Sequence, residues 1–170
     1  MPRAQRFVLY SFAAVAIAAI AYLLLYSGAC ACVEPEPEPG ADGVVVTNGT
    51  KSVRLQVAIA DEEPERNRGL TGRTSVADTE GMLFVIPVRG PGFWMKDVPI
   101  PLDVAFIDRC GVIVYIAEMQ PNTVTLHQAE KEYSYGLETA GGWYRRMGFK
   151  VGDKVRLPSV SFATTPPPCS

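Results

Sequence analysis

Trp94, Lys96, Asp103 and Glu118 are the side chains whose types and spacing could do chemistry together. Phe93-Trp94-Met95-Lys96-Asp97 and Leu102-Asp103-Val104-Ala105-Phe106 flank Val98-Pro99-Ile100-Pro101, whose two prolines favour a loop over continued strand. The pattern predicts a hairpin. If its four-residue loop is symmetric, Lys96 faces Asp103, Trp94 faces Ala105, Met95 faces Val104 and Phe93 faces Phe106. Period-two alternation then sends Phe93, Met95, Val104 and Phe106 into the core and leaves Trp94, Lys96, Asp103 and Ala105 on the other face. An indole opposite an alanine, beside a Lys–Asp pair, begins a groove. A two-residue turn at Arg109-Cys110 adds Glu118 to the same face.

Such a face suits a sugar, a peptide or another small polar ligand. An ordinary sheet surface explains the same residues, because a cross-strand Lys–Asp pair contributes only about 0.2–1 kcal/mol. Asp103 with Glu118 could also serve as a carboxylate pair in a hydrolase, but the spacing does not fix the separation of about 5–9.5 Å that such chemistry needs. No Gly-x-Ser-x-Gly, His-Glu-x-x-His or phosphate-cradling loop occurs. The sequence therefore leans away from an enzyme. With His127 the one histidine, no metal site is expected, and no cofactor is indicated.

These residues need a sheet to hold them. Val44-Val45-Val46-Thr47, then Asn48-Gly49, then a strand through Val53, Leu55, Val57 and Ile59 predict a hairpin around a type I′ turn. Asn48-Gly49-Thr50 is also a formal glycosylation sequon, which the turn explains by itself. Asp61 is placed to cap a short helix from Glu62 to Arg68, ended by Gly69. Gly81 to Pro87 reads as a strand, and so does Val112 to Met119, apolar on both faces and expected at the centre of the sheet. A short helix from Gly142 to Met147 and a last strand from Lys154 to Leu157 complete the domain. Many short strands with few helices predict a mostly β sandwich or barrel with one or two short helices.

The N-terminal part differs in kind. Phe7 to Tyr26 is 20 residues without a charge, about 30 Å as a helix, enough to cross a bilayer. Residues 1–32 are thus expected to be one transmembrane or signal helix, with the membrane as partner through residues 7–26. Arg3 and Arg6 precede the span and no basic residue follows before Lys51, which places the domain on the extracytoplasmic, periplasmic or cell-surface, side. A retained anchor and a cleaved signal both remain open. So does a lipoprotein lipidated at Cys30, since Tyr-Ser-Gly-Ala-Cys resembles a bacterial lipobox with Ser27 where Leu is preferred. Residues 33–43, VEPEPEPGADG, read as a polyproline-like spacer, residues 44–158 as the domain, and residues 159–170 as a disordered tail. A bridge between Cys110 and Cys169 has no spacing rule behind it. Sixteen Lys+Arg against eighteen Asp+Glu give a net charge of −2 without a basic stripe, which argues against nucleic acid as a partner.

One ordered series of motifs is specific. Arg68-Gly-Leu-Thr-Gly-Arg73, Glu80-Gly-Met-Leu-Phe-Val, Phe93-Trp-Met-Lys96 and Pro101-Leu-Asp-Val-Ala-Phe-Ile-Asp108 come first. Glu118-Met119-Gln120-Pro121, Leu137-Glu138, Gly142-Trp143 and Lys150-Val-Gly-Asp-Lys-Val155 continue it. From about Val57 to Leu157 the chain resembles the family called domain of unknown function 192. The resemblance implies a compact, jelly-roll-like, mostly β domain, often behind a signal or membrane segment, and brings no established activity. Members commonly carry Cys after the Pro of Glu-Met-x-Pro and Asn before the Ala-Gly-Trp. Here Asn122 and Ala140 stand there, so chemistry that needs that Cys is absent.

Overall fold

The computed structural model describes residues 43–87, 92–159 and 163. The expected membrane or signal segment, the spacer up to residue 42, Cys30 and most of the tail lie outside those residues. Among the described residues no helix is long and apolar enough to cross a membrane.

Seven strands form one curled sheet, a half-barrel: β1 (Gly43–Thr47), β2 (Ser52–Ala60), β3 (Glu80–Val85), β4 (Leu102–Ile107), β5 (Ile113–Met119), β6 (Tyr135–Ala140) and β7 (Lys154–Arg156). Their order is β5-β4-β6-β3-β2-β1-β7. All neighbours are antiparallel except β2 and β3, which run parallel. Two short helices, α1 (Glu63–Arg68) and α2 (Trp143–Met147), complete it.

Several local expectations need correction. The β1–β2 hairpin exists, but Thr47 pairs with Ser52, and of the two turn residues only Gly49 takes a positive φ. The Asn48 carboxamide replaces the type I′ turn, accepting from the N–H groups of Thr50 (3.1 Å) and Lys51 (2.9 Å). Glu62, not Asp61, caps α1, and Glu65 reaches back to accept from the N–H groups of Asp61 and Glu62. β5 lies at an edge of the strand order rather than at its centre. Its apolar character comes from serving two cores, with Ile113 in one and Ala117 and Met119 in the other. A bridge from Val112 to Lys154 joins that edge to β7.

The sheet therefore has apolar packing on both faces. On the inner face Leu55, Leu83, Ala105, Ile107 and Leu137 meet Trp143 and Tyr144 of α2. Trp143 stacks on Phe149 with centroids 5.6 Å apart, and its indole N–H donates to the Asp78 carbonyl at 2.8 Å. On the outer face Met82, Phe84, Val104 and Phe106 lie beneath Phe93, Met95, Val98 and Tyr133 from two excursions of the chain. Phe93 packs so closely over β6 that a Cβ at Gly136 would come within 2.2 Å of its ring. Cys110, in the β4–β5 turn where the Asp108 carboxylate accepts from the Cys110 N–H at 2.8 Å, is disulfide-bonded.

Candidate functional site

The four residues singled out from sequence do not come together. Phe93 to Asp97 forms no hairpin with β4. Its Phe93 bridges His127, and the Met95 N–H donates to the Thr123 carbonyl at 3.0 Å. β4 is instead enclosed by β5 and β6, so Asp103 lies opposite Glu118 on one side and Thr139 on the other, never opposite Lys96. The alternation itself holds. Phe93, Met95, Val104 and Phe106 all enter the outer core, Ala105 faces the inner one, and Trp94 and Lys96 are exposed. Glu118 does share a face with Asp103.

Asp103 is nearly inaccessible at 2% exposure, and its carboxylate accepts from the Gly142 N–H at 2.9 Å, immediately before α2. Burial pushes this carboxyl above its ordinary value against the pull of the Gly142 N–H, and the neighbouring Glu118 charge pushes the same way. Its work is to fasten α2 over the end of the inner core. Glu118 points the other way energetically: it pairs with Arg145 of α2, and both side chains are more than half exposed, so the pair contributes little. Two carboxyls thus stand side by side, one occupied by backbone donors and the other by an arginine. One oxygen of each carboxylate is thus engaged, Asp103 by the Gly142 N–H and Glu118 by Arg145.

Two features escaped the sequence reading. The first is Glu138 on β6, whose register neighbours on the outer face are Met82 and Val104. It is 5% exposed, has no hydrogen-bond or ion-pair partner among the described residues, and burial alone pushes its carboxyl up to about 8. Glu138 is therefore a neutral acid at pH 7. Its place in the Leu137-Glu138 motif was the available signal.

The second is an open groove of about 410 Å³ beside the parallel β2–β3 pair, lined by Gln56, Ala58, Ile59, Leu70, Arg73, Val76 and Glu80 among others. The segment after α1 forms its far wall, held by the Gly72 N–H on the Asp97 carbonyl at 3.1 Å and the Arg73 N–H on the Leu70 carbonyl at 3.0 Å. Apolar side chains make its floor. Gln56, Arg73 and Glu80 supply exposed polar ends, and the Arg73 guanidinium has no partner among the described residues. No group of three or more His, Cys, Asp or Glu side chains among the described residues could hold a metal.

Fold and groove together define a small β-rich domain built around one curled sheet. A family model matches residues 44–157, and the chain belongs to that family, DUF192, described as an uncharacterized ACR. A protein of unknown function from Novosphingobium aromaticivorans DSM 12444 is similar in structure, with a TM-score of 0.65 and 32% identity over 68% of this chain and 84% of its own. A putative transcription regulator from Sinorhizobium meliloti 1021 is similar too, with a TM-score of 0.65 and 28% identity over 72% of this chain and 97% of its own. No curated protein matches the chain.

Proposed function

We propose that the chain is a membrane-tethered extracytoplasmic binding domain that takes a small polar ligand or peptide in the groove beside β2 and β3. The groove is the observation that carries this reading. Its volume of about 410 Å³ falls within the roughly 300–1,000 Å³ of small-molecule sites, and an apolar floor with a few convergent polar groups is the usual composition of such sites. Arg73 offers an exposed guanidinium fork with no partner among the described residues, which favours a ligand carrying a carboxylate, and Glu80 can receive a donor from the same molecule. The location rests on the uncharged span from Phe7 to Tyr26 behind Arg3 and Arg6, and on the Cys110 disulfide, which suits an oxidising compartment. The name of the Sinorhizobium protein gives no reason to read this chain as a regulator, because a net charge of −2 without a basic stripe offers little to a phosphate backbone.

Thermal-shift screening of the detergent-solubilised full chain against amino acids, short peptides, sugar acids and neutral sugars tests the binding. Carboxylate-bearing compounds should raise Tm. A screen in which none does so removes the reading. Reporter enzymes active on one side of the membrane only, fused after residue 158, test the location, and activity confined to the cytoplasmic side would overturn it.

A further inference from the structure

We infer that Cys110 is joined to Cys169, so that the C-terminal tail forms a covalent strap across one end of the sheet; the oxidation this needs rests on the extracytoplasmic reading above. Cys110 is disulfide-bonded, and the chain has four cysteines, which leaves Cys30, Cys32 and Cys169 as partners. Where the strands end narrows the choice. Val85 pairs with Tyr135, Tyr135 with Ile107, and Ile107 with Ile113. Ala60 pairs with Phe84, so one further step of that register puts Asp61 beside Val85. These positions form one row, at the end where β2, β3 and β4 finish and β5 and β6 begin. Cys110 stands in the turn that follows Ile107 there, closed by the Gly111 N–H on the Asp108 carbonyl at 3.0 Å.

The tail comes to the same end. The Ala163 N–H donates to the Asp61 carboxylate at 2.7 Å, which holds the tail just past the end of β2. In the strand order three spacings of about 4.8 Å separate β2 from β4, about 14 Å in all. The six residues from Ala163 to Cys169 extend to about 20 Å, enough to cover that distance with a margin for the turn. The N-terminal cysteines have no such foothold among the described residues. Gly43 pairs with Gln56, about 17 Å back along β2 from Asp61, and the chain from Gly43 to Cys32 is nearly twice as long as that from Ala163 to Cys169. Forming the bond takes two electrons and two protons from the two thiols; they pass to the disulfide of a thiol–disulfide oxidant, which leaves as a dithiol. The Asp61 carbonyl also accepts from the Arg66 guanidinium, so the tail and α1 are fastened at one residue. The strap thereby braces α1, whose continuation forms the far wall of the groove.

The full chain, alkylated under denaturing conditions without reductant and digested with trypsin, tests the pairing. Cleavage after Lys51, Arg109, Lys131 and Arg156 leaves Cys30 and Cys32 in the peptide that ends at Lys51, Cys110 in 110–131 and Cys169 in 157–170. Mass spectrometry should find 110–131 joined to 157–170, and reduction should separate them. Cys110 joined to the peptide that ends at Lys51 overturns the pairing and spares the location. Cys110 and Cys169 both alkylated overturns the pairing and counts against the location as well. Cys110→Ser and Cys169→Ser should each lower Tm by several degrees, and the double variant by no more than either, since one bond is lost in all three. Losses that add overturn the pairing. Ala163→Pro, which removes the N–H that meets Asp61, should slow re-formation of the bond after reduction severalfold. An unchanged rate overturns the part given to Asp61.

Discussion

Two buried carboxyls on opposite faces of one sheet set structure apart from availability. Asp103, on the inner face, is held by a backbone N–H and anchors the helix that closes the inner core. Glu138, on the outer face between Met82 and Val104, has no hydrogen-bond or ion-pair partner among the described residues, and burial pushes its carboxyl up to about 8. The inner face has satisfied its polar groups and packed Trp143 and Tyr144 into place. The outer face and its rim carry the neutral acid, the groove and the exposed ribbon that holds Trp94. The groove and the exposed ribbon thus lie on the outside of the curl, whereas the more obvious acidic pair is tied to α2 on the inside.

The largest effect should come from the inner face. Asp103→Ala removes the acceptor at the start of α2 and leaves a buried N–H unsatisfied, so urea unfolding should show a loss of about 3 kcal/mol. A loss below 1 kcal/mol would mean that α2 does not depend on this contact.

Glu138→Gln should act with the opposite sign and only as pH rises. The folded-state value of about 8 lies above the ordinary 4.5, so the folded protein holds its proton after the unfolded chain has released it. Wild-type stability should therefore be fully present below about pH 4.5, fall steadily above it, and level off past about pH 8. Glutamine cannot ionise. The variant should lack that slope and gain on the order of 3 kcal/mol over wild type at pH 7, read from unfolding midpoints across pH 4–9. Parallel profiles would place Glu138 in a polar environment and dissolve the contrast between the faces.

Trp94→Ala should change stability least, within about 0.5 kcal/mol, because more than half of the side chain already meets water. Trp143→Ala, fully buried, should cost about 3–5 kcal/mol by the same measurement.

Much of the architecture was legible in the sequence. The alternation along Phe93–Phe106 separated the two sides of each strand, since side-chain direction follows local pleat whatever the partner strand is, but Asp103 and Ala105, expected on an open face, are buried on the inner one. Pairing is not local. Two flanking apolar runs with a proline loop look like a hairpin, and nothing in them reveals that β5 and β6 will take both edges of β4. β6 itself was not recognised, because Tyr135-Gly-Leu-Glu-Thr-Ala breaks apolar alternation at the two positions the structure uses specially. Gly136 makes room for the Phe93 ring, and Glu138 is the buried acid. The groove was invisible for a related reason, since it is assembled from a parallel strand pair and a loop that no spacing rule brings together.

The most direct test pits the two regions against each other with a compound found by the screen. Its effect on Tm is measured in wild type, in Arg73→Ala at the groove and in Glu118→Ala at the acidic pair. A ligand at about one hundred times its Kd stabilises by about 2.7 kcal/mol, a shift of several degrees for a domain of this size. The shift should vanish in Arg73→Ala and persist in Glu118→Ala. A shift that persists in Arg73→Ala and vanishes in Glu118→Ala would return the site to the inner-face carboxylates and contradict the assignment of function to the groove.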